Sequence, residues 1–221
     1  TGVQTCALPI STSAHEYRFS SLDMESGLPN NSVFTLAQDY LGYMWIGTFG
    51  GLARYDGKEY VSYKPNPSQP GSITSAVIFD ILEDSQRRLW VGTDGGGLNL
   101  YQRDTDSFIA KRYSADDSAS ISSDQVFALF EDSSGTIWIG TGGGGLNRMV
   151  DDDHFITYLA DTSSRRALQS NTIREIIQDH RGAIWIGTDG GGLATYLPEE
   201  DSFATYFYQL PGQDQTTHFA M

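Results

Sequence analysis

The chain has 221 residues, of which 39% are hydrophobic and 12% aromatic, and a formal net charge of −14. That apolar content can build a substantial core, but an acidic chain with no Lys/Arg run longer than two is repelled by phosphate, so no nucleic-acid partner is expected. No stretch approaches the ~18 apolar residues needed to cross a membrane.

Thr1 to Ile10 (TGVQTCALPI) resembles the conceptual translation of a common sequencing-library adapter. Read that way, residues 1–10 are not native and the chain is a fragment of a longer product. A genuine tail, or the end of a signal peptide, is the other reading. Cys6 is the only cysteine, so neither disulfides nor thiolate metal sites are expected. Residues 11–27 form an N-terminal strand and an entry. Glu16-Tyr17-Arg18-Phe19 reads as a fourth strand without its blade, and residues 17–21 are expected to complete the blade at the opposite terminus.

From residue 28 to 208 one unit recurs four times. Its centre is Trp-Ile/Val-Gly-Thr, at Trp45–Thr48, Trp90–Thr93, Trp138–Thr141 and Trp185–Thr188, and the four tryptophans are 45, 48 and 47 residues apart. A Gly-Gly-Leu follows each, ending at Leu52, Leu98, Leu146 and Leu193. Six residues before the tryptophans stand Asp39, Asp84, Asp132 and Asp179; twelve before stand Val33, Ile78, Val126 and Ile173. The structural signature of the repeat is thus Asp39, Trp45 and Gly47, then Asp84, Trp90 and Gly92, Asp132, Trp138 and Gly140, and Asp179, Trp185 and Gly187.

Each unit reads as four strands. The first runs from Val33 to Gln38, with equivalents Ile78 to Glu83, Val126 to Glu131 and Ile173 to Gln178. A turn such as Asp39-Tyr40-Leu41-Gly42 follows, in which the aspartate accepts backbone hydrogen bonds and glycine tolerates positive φ; Arg87 stands in for that glycine in the second copy. The tryptophan strand is second, the third starts at the Gly-Gly-Leu, and the fourth is typified by Phe108 to Tyr113. β-branched and aromatic enrichment, with turns every eight to twelve residues, argues for antiparallel strands. Four strands in a repeat of 40–50 residues is a β-propeller blade, and tryptophan is suited to filling the space between twisted sheets. The predicted fold is therefore all-β: four four-stranded blades at about 28–66, 73–114, 121–160 and 168–208, an open arc of a seven-bladed propeller. All four tryptophans are expected at matching buried positions, and residues 209–221 form a truncated connector.

These residues also carry a family resemblance. Gly27-Leu28-Pro29-Asn30-Asn31-Ser32-Val33, Gln38-Asp39, Gly42-Tyr43-Met44-Trp45-Ile46-Gly47-Thr48 and Gly51-Leu52-Ala53-Arg54-Tyr55-Asp56-Gly57 resemble the two-component regulator propeller repeat. Ser120 to Val126 and Gly135 to Thr141 are similar to it again. The resemblance implies a periplasmic sensor region of a membrane receptor with a histidine kinase or diguanylate cyclase output. It also implies a small-molecule or oligosaccharide ligand, the remaining blades and downstream receptor domains as partners, and a homodimer in the full receptor.

Other chemistry is poorly supported. The glycine runs at 95–97, 142–145 and 190–192 follow a strand and precede a strand, so they offer no helix N-terminus to a phosphate and read as hairpins. Asp151-Asp152-Asp153 and Glu199-Glu200-Asp201 lack the spaced ligands of a calcium loop and read as solvated turns. The four histidines share no repeat position or metal-ligand spacing. No catalytic residue, metal or cofactor is implied, and the alternatives to a sensor are a propeller enzyme of the lyase or hydrolase type and a protein-interaction scaffold. If a ligand binds, the entry to strand one and the loop between strands two and three should meet on one face. That expectation nominates Asn31, Asp124 and Asn171 (with Ala76 equivalent), facing Phe49, Asp94, Gly142 and Asp189, a set of carboxamides and carboxylates with one aromatic that suits a sugar. The competing reading is that these Asn and Asp residues merely cap turns.

Overall fold

In the computed structural model, residues 21–206 are described. The expected roles of residues 1–20 and 207–221 lie outside that range. A single 3-10 turn, Met24–Ser26, is capped at Asp23 and leads into the first repeat.

Sixteen strands follow in four sheets. They are β1 (Val33–Gln38), β2 (Met44–Thr48), β3 (Gly51–Tyr55) and β4 (Tyr60–Tyr63), then β5 (Ile78–Glu83), β6 (Leu89–Thr93), β7 (Leu98–Gln102) and β8 (Ser107–Lys111). The third blade holds β9 (Val126–Glu131), β10 (Ile137–Thr141), β11 (Leu146–Met149) and β12 (Phe155–Tyr158). The fourth holds β13 (Ile173–Gln178), β14 (Ile184–Thr188), β15 (Leu193–Leu197) and β16 (Ser202–Tyr206). Every sheet is an antiparallel meander in chain order. The first strands β1, β5, β9 and β13 pack side by side in succession, so they form the inner edge of an arc of blades. The four first strands match the sequence reading residue for residue. The fourth strand of the second blade ends at Lys111, short of the expected Tyr113, because the chain turns into the connector there.

Three residues of the central motif have separate tasks. The tryptophan indole N–H donates to the aspartate six residues earlier, at 2.9 Å for Trp45 and Asp39, 2.9 Å for Trp90 and Asp84, 2.8 Å for Trp138 and Asp132, and 3.0 Å for Trp185 and Asp179. The other carboxylate oxygen of each aspartate accepts two backbone N–H groups of its own turn, as Asp84 does from Gln86 and Arg88. Burial alone would push the Asp39 carboxyl up, but bonds from Trp45, Arg103 and Tyr43 outweigh it and hold it below the usual carboxylate range. The threonine hydroxyl pins the glycine hairpin: Thr48 donates to the Gly51 carbonyl, Thr93 to Gly97, Thr141 to Gly145 and Thr188 to Gly192.

The glycine is a socket. A Cβ on Gly47 would lie 2.8 Å from Cγ2 of Ile78 in the next blade, on Gly92 2.8 Å from Cγ1 of Val126, and on Gly140 2.7 Å from Cγ2 of Ile173. The leading β-branched residue of blades two, three and four therefore seats against the previous blade's glycine. The core accordingly consists of slabs between blades, such as Trp45 and Leu52 packed with Ile73, Ile78, Ile81, Val91 and Phe108.

Two expectations need correction. Trp45, Trp90 and Trp138 are fully buried, but Trp185 is only half-buried, because no fifth blade covers its sheet among the described residues. Asp201 is not a merely solvated turn charge. With φ of 45° it accepts the hydroxyls of Tyr158 and Tyr196, both at 2.6 Å, clasping blades three and four as Asp106 does with Tyr63 and Tyr101 between blades one and two.

Candidate functional site

The inner strands share an irregularity at one place. Pairing shifts register between Val33 and Thr35, between Ile78 and Asp80, and between Ile173 and Glu175, and it skips the residue between Val126 and Ala128. The extra residue of each bulge is Phe34, Phe79, Phe127 or Arg174. A bulge leaves its residue outside the ladder and re-aims its side chain, and here the four form a row across the arc. The Phe34 and Phe79 ring centroids are 5.4 Å apart, those of Phe79 and Phe127 are 4.9 Å apart, and the Arg174 guanidinium lies 4.8 Å from the Phe127 ring.

The loops between second and third strands meet this row. In every blade, the N–H four residues after the tryptophan donates to the carbonyl just before the first strand: Phe49 to Ser32, Asp94 to Val77, Gly142 to Gln125 and Asp189 to Thr172. The bulge residue is then the neighbour of that loop position. Phe49 lies 5.9 Å from Phe34, and Asp189 Oδ2 accepts from Arg174 at 2.7 Å. A Cβ on Gly142 would sit 2.6 Å from Cζ of Phe127, which explains glycine there. Asp94 Oδ1 accepts from Gln125 Nε2 of the next blade at 2.8 Å. Both ends of the row are exposed: Phe34 at 49% and Phe49 at 56% of full accessibility in blade one, and Arg174 and Asp189 in blade four.

The other nominated residues are tied into the chain's own connections. Asn31 Oδ1 accepts from the Met24 N–H, Asp124 Oδ1 from Tyr113 and Asn171 Oδ1 from Ala160, at 2.9, 2.8 and 2.7 Å. Asp124 also pairs with Arg112 at 2.6 Å. The backbone carbonyls of Asp124 and Asn171 accept from Gly97 and Gly145 of the preceding blade. The structure thus brings Phe49, Asp94, Gly142 and Asp189 to the inner row and engages Asn31, Asp124 and Asn171 as caps of the crossings.

Sequence reading missed Phe34, Phe79, Phe127 and Arg174. A signal existed, since Phe, Phe, Phe and Arg occupy one repeat position. However, Val-Phe-Thr-Leu reads as ordinary strand, and nothing local announces the bulge. Just beyond the row, Asp80 is half-buried at the inner edge, and desolvation of its carboxyl pushes it up to about 6. Among the described residues no group of three or more His, Cys, Asp or Glu is placed to hold a metal, and no helix is long and apolar enough to cross a membrane.

The family described as two component regulator propeller matches residues 27–50, 72–95, 120–143 and 167–190. Among solved structures, the extracellular domain of the hybrid two component system BT3049 from B. thetaiotaomicron is similar at 27% identity, over 86% of this chain and 26% of that one, with a TM-score of 0.76. The extracellular domain of the one component system BT4673 from the same organism shares the fold, with 22% identity over 85% of this chain and 28% of that one, and a TM-score of 0.68. Histidine kinase P4 of Formosa agariphila is 32% identical over 68 residues, which is 31% of this chain and 5% of the kinase. The chain spans well under a third of each of these proteins. The matched segments each run from a repeat's entry through its tryptophan strand into the glycine hairpin, so the chain belongs to the two component regulator propeller family.

Proposed function

We propose that this chain is part of the ligand-sensing propeller of a periplasmic receptor domain, that it is not itself catalytic, and that its inner row contacts a small molecule or oligosaccharide. Signalling across the membrane then falls to receptor domains outside this chain, with a homodimer as the working assembly. The observation that carries this reading is the bulge repeated in all four inner strands, which sets three phenylalanines and an arginine in one row. A row of aromatic faces with flanking carboxylates offers stacking to an apolar sugar face and acceptors to its hydroxyls. The likeness to the extracellular domain of a hybrid two component system supports the receptor setting.

The test replaces Phe49, Asp94 and Asp189 together by alanine in a complete sensor, with Phe34→Ala and Phe79→Ala as a second variant, and titrates candidate oligosaccharides. Loss of at least about tenfold in affinity is expected, equal to ~1.4 kcal/mol. Unchanged affinity and signalling with an intact fold would move the site elsewhere. Turnover of a titrated compound would favour the lyase or hydrolase reading instead.

A further inference from the structure

On the face opposite the inner row, the blade interfaces differ in one respect. Between blades one and two, Arg103 Nη1 donates to Asp39 Oδ2 at 2.8 Å, and its guanidinium lies 4.9 Å from the Tyr40 ring and 3.5 Å from Glu83. In blade two, Arg88 Nε donates to Asp84 Oδ2 at 2.6 Å, with the guanidinium 5.2 Å from the Trp90 ring. Each of these tryptophan-bound aspartates thus also holds a guanidinium, and both Asp39 and Asp84 are buried, at 4% accessibility.

Between blades three and four no side chain fills that place. Aligned on the tryptophans, Pro198 stands where Arg103 does and Thr136 where Arg88 does. Ser133 and Gln178 likewise replace Tyr40 and Glu83. Among the described residues no Lys or Arg nitrogen pairs with Asp132, whose Oδ2 receives the Trp138 indole. A cavity of about 530 Å³ takes the place of the missing arginine, walled by Asp132, Trp138, Gln178, Arg181, Tyr196 and Pro198.

We infer that this cavity is a binding site for a small guanidinium compound bearing a carboxylate, with free arginine the model ligand. The guanidinium repeats what Arg103 and Arg88 do: it donates to Asp132 Oδ2 and lies against an aromatic wall, here Trp138 and Tyr196. A planar fork suits this acceptor better than an ammonium does. Arg148, also in the wall, is engaged with the Tyr196 hydroxyl at 3.1 Å and with Asp201. Arg181 faces the cavity from the turn above and supplies the charge that receives the ligand's carboxylate. The assignment does not depend on the inner row.

The chain has four indole N–H groups, and that of Trp138 is bonded to Asp132, so L-arginine can be followed by indole N–H resonances in the full 221-residue chain. A saturable shift confined to the Trp138 resonance is expected, with a Kd of about 1 mM or tighter. Pro198→Arg, which refills the place as Arg103 does, is expected to weaken it at least about tenfold while leaving the other three resonances in place. Arg181→Ala, or agmatine as ligand, is expected to weaken it several-fold. No shift up to about 10 mM, equal movement of all four resonances, or undiminished binding by Pro198→Arg would overturn the site. Equal affinity for agmatine would overturn the stated ligand class.

Discussion

At the residue scale the inner edge is governed by Asp80, which sits where three blades meet. Its Oδ1 accepts from Ile81 N–H at 2.8 Å and from the Thr35 hydroxyl of blade one, while Oδ2 accepts from the Leu129 N–H of blade three at 2.7 Å. Burial outweighs these bonds and raises the carboxyl to about 6, with Glu175 adding repulsion. The folded state therefore holds a proton that the unfolded state has released between its ordinary value of 3.8 and about 6. Stability from this group rises as pH falls through about 6 and is lost as pH rises. Asp39, Asp106, Asp132 and Asp201 are lowered instead, so their contribution disappears only as pH falls further, through the usual carboxylate range. Melting temperature is thus expected to climb from about pH 7.5 to about pH 5, and to do so less steeply in Asp80→Asn. Equal slopes in the two proteins would remove Asp80 as the cause. The amide lowers absolute stability in any case, because it cannot accept on both sides, so the slope is the informative quantity.

At the scale of the element, the unit is a sheet that is finished only by its neighbour. The glycine of each second strand is a socket for the next blade's Ile78, Val126 or Ile173, whereas a Cβ on Gly187 would meet only its own blade, at 3.6 Å from Glu175 Cβ. Gly92→Ala and Gly140→Ala are expected to cost about 1–3 kcal/mol by overpacking. Gly187→Ala is expected to stay within about 0.5 kcal/mol. Urea melts of the three variants measure this, and equal losses at all three would refute the socket. The elements themselves were legible in the sequence, because Asp, Trp, Gly and Thr recur at fixed distances and strand alternation marks the rest. The reasons for those residues were less so. That Asp39 receives the Trp45 indole, or that Gly47 faces Ile78 31 positions later in the chain, depends on contacts across turns and blades. Of the candidate site, Phe49, Asp94 and Asp189 are legible from their fixed distance to the tryptophans, and they lie beside the inner row. The centre of the site, Phe34 to Arg174, depends on a register shift that alternating Val-Phe-Thr-Leu cannot disclose.

At the scale of the molecule, the two ends of the arc carry matched but unoccupied halves of the same joint. Leu52, Leu98 and Leu146 are completely buried by the following blade, while Leu193 at the same position is 50% exposed, beside half-buried Trp185. At the other end, Ile81, Leu129 and Ile176 are buried against the preceding blade, while Leu36 is 62% and Val33 43% exposed. The last residue of each first strand latches the preceding turn in the same way, as Glu83 does to Tyr40 N–H and Glu131 to Ser85 N–H. Gln38 has no earlier turn to latch among the described residues. Large exposed apolar faces of this kind drive association, and a head-to-tail joint that does not close forms open chains of copies. The isolated chain is therefore expected to associate with rising concentration and to melt broadly, as read by sedimentation and calorimetry. The paired substitutions Leu36→Asp and Leu193→Asp should suppress association without changing the far-ultraviolet circular dichroism, since both side chains are outside the three filled slabs. A monomer that melts sharply and reversibly, or association that ignores both substitutions, would mean that the two faces are satisfied in some other way than by a further blade.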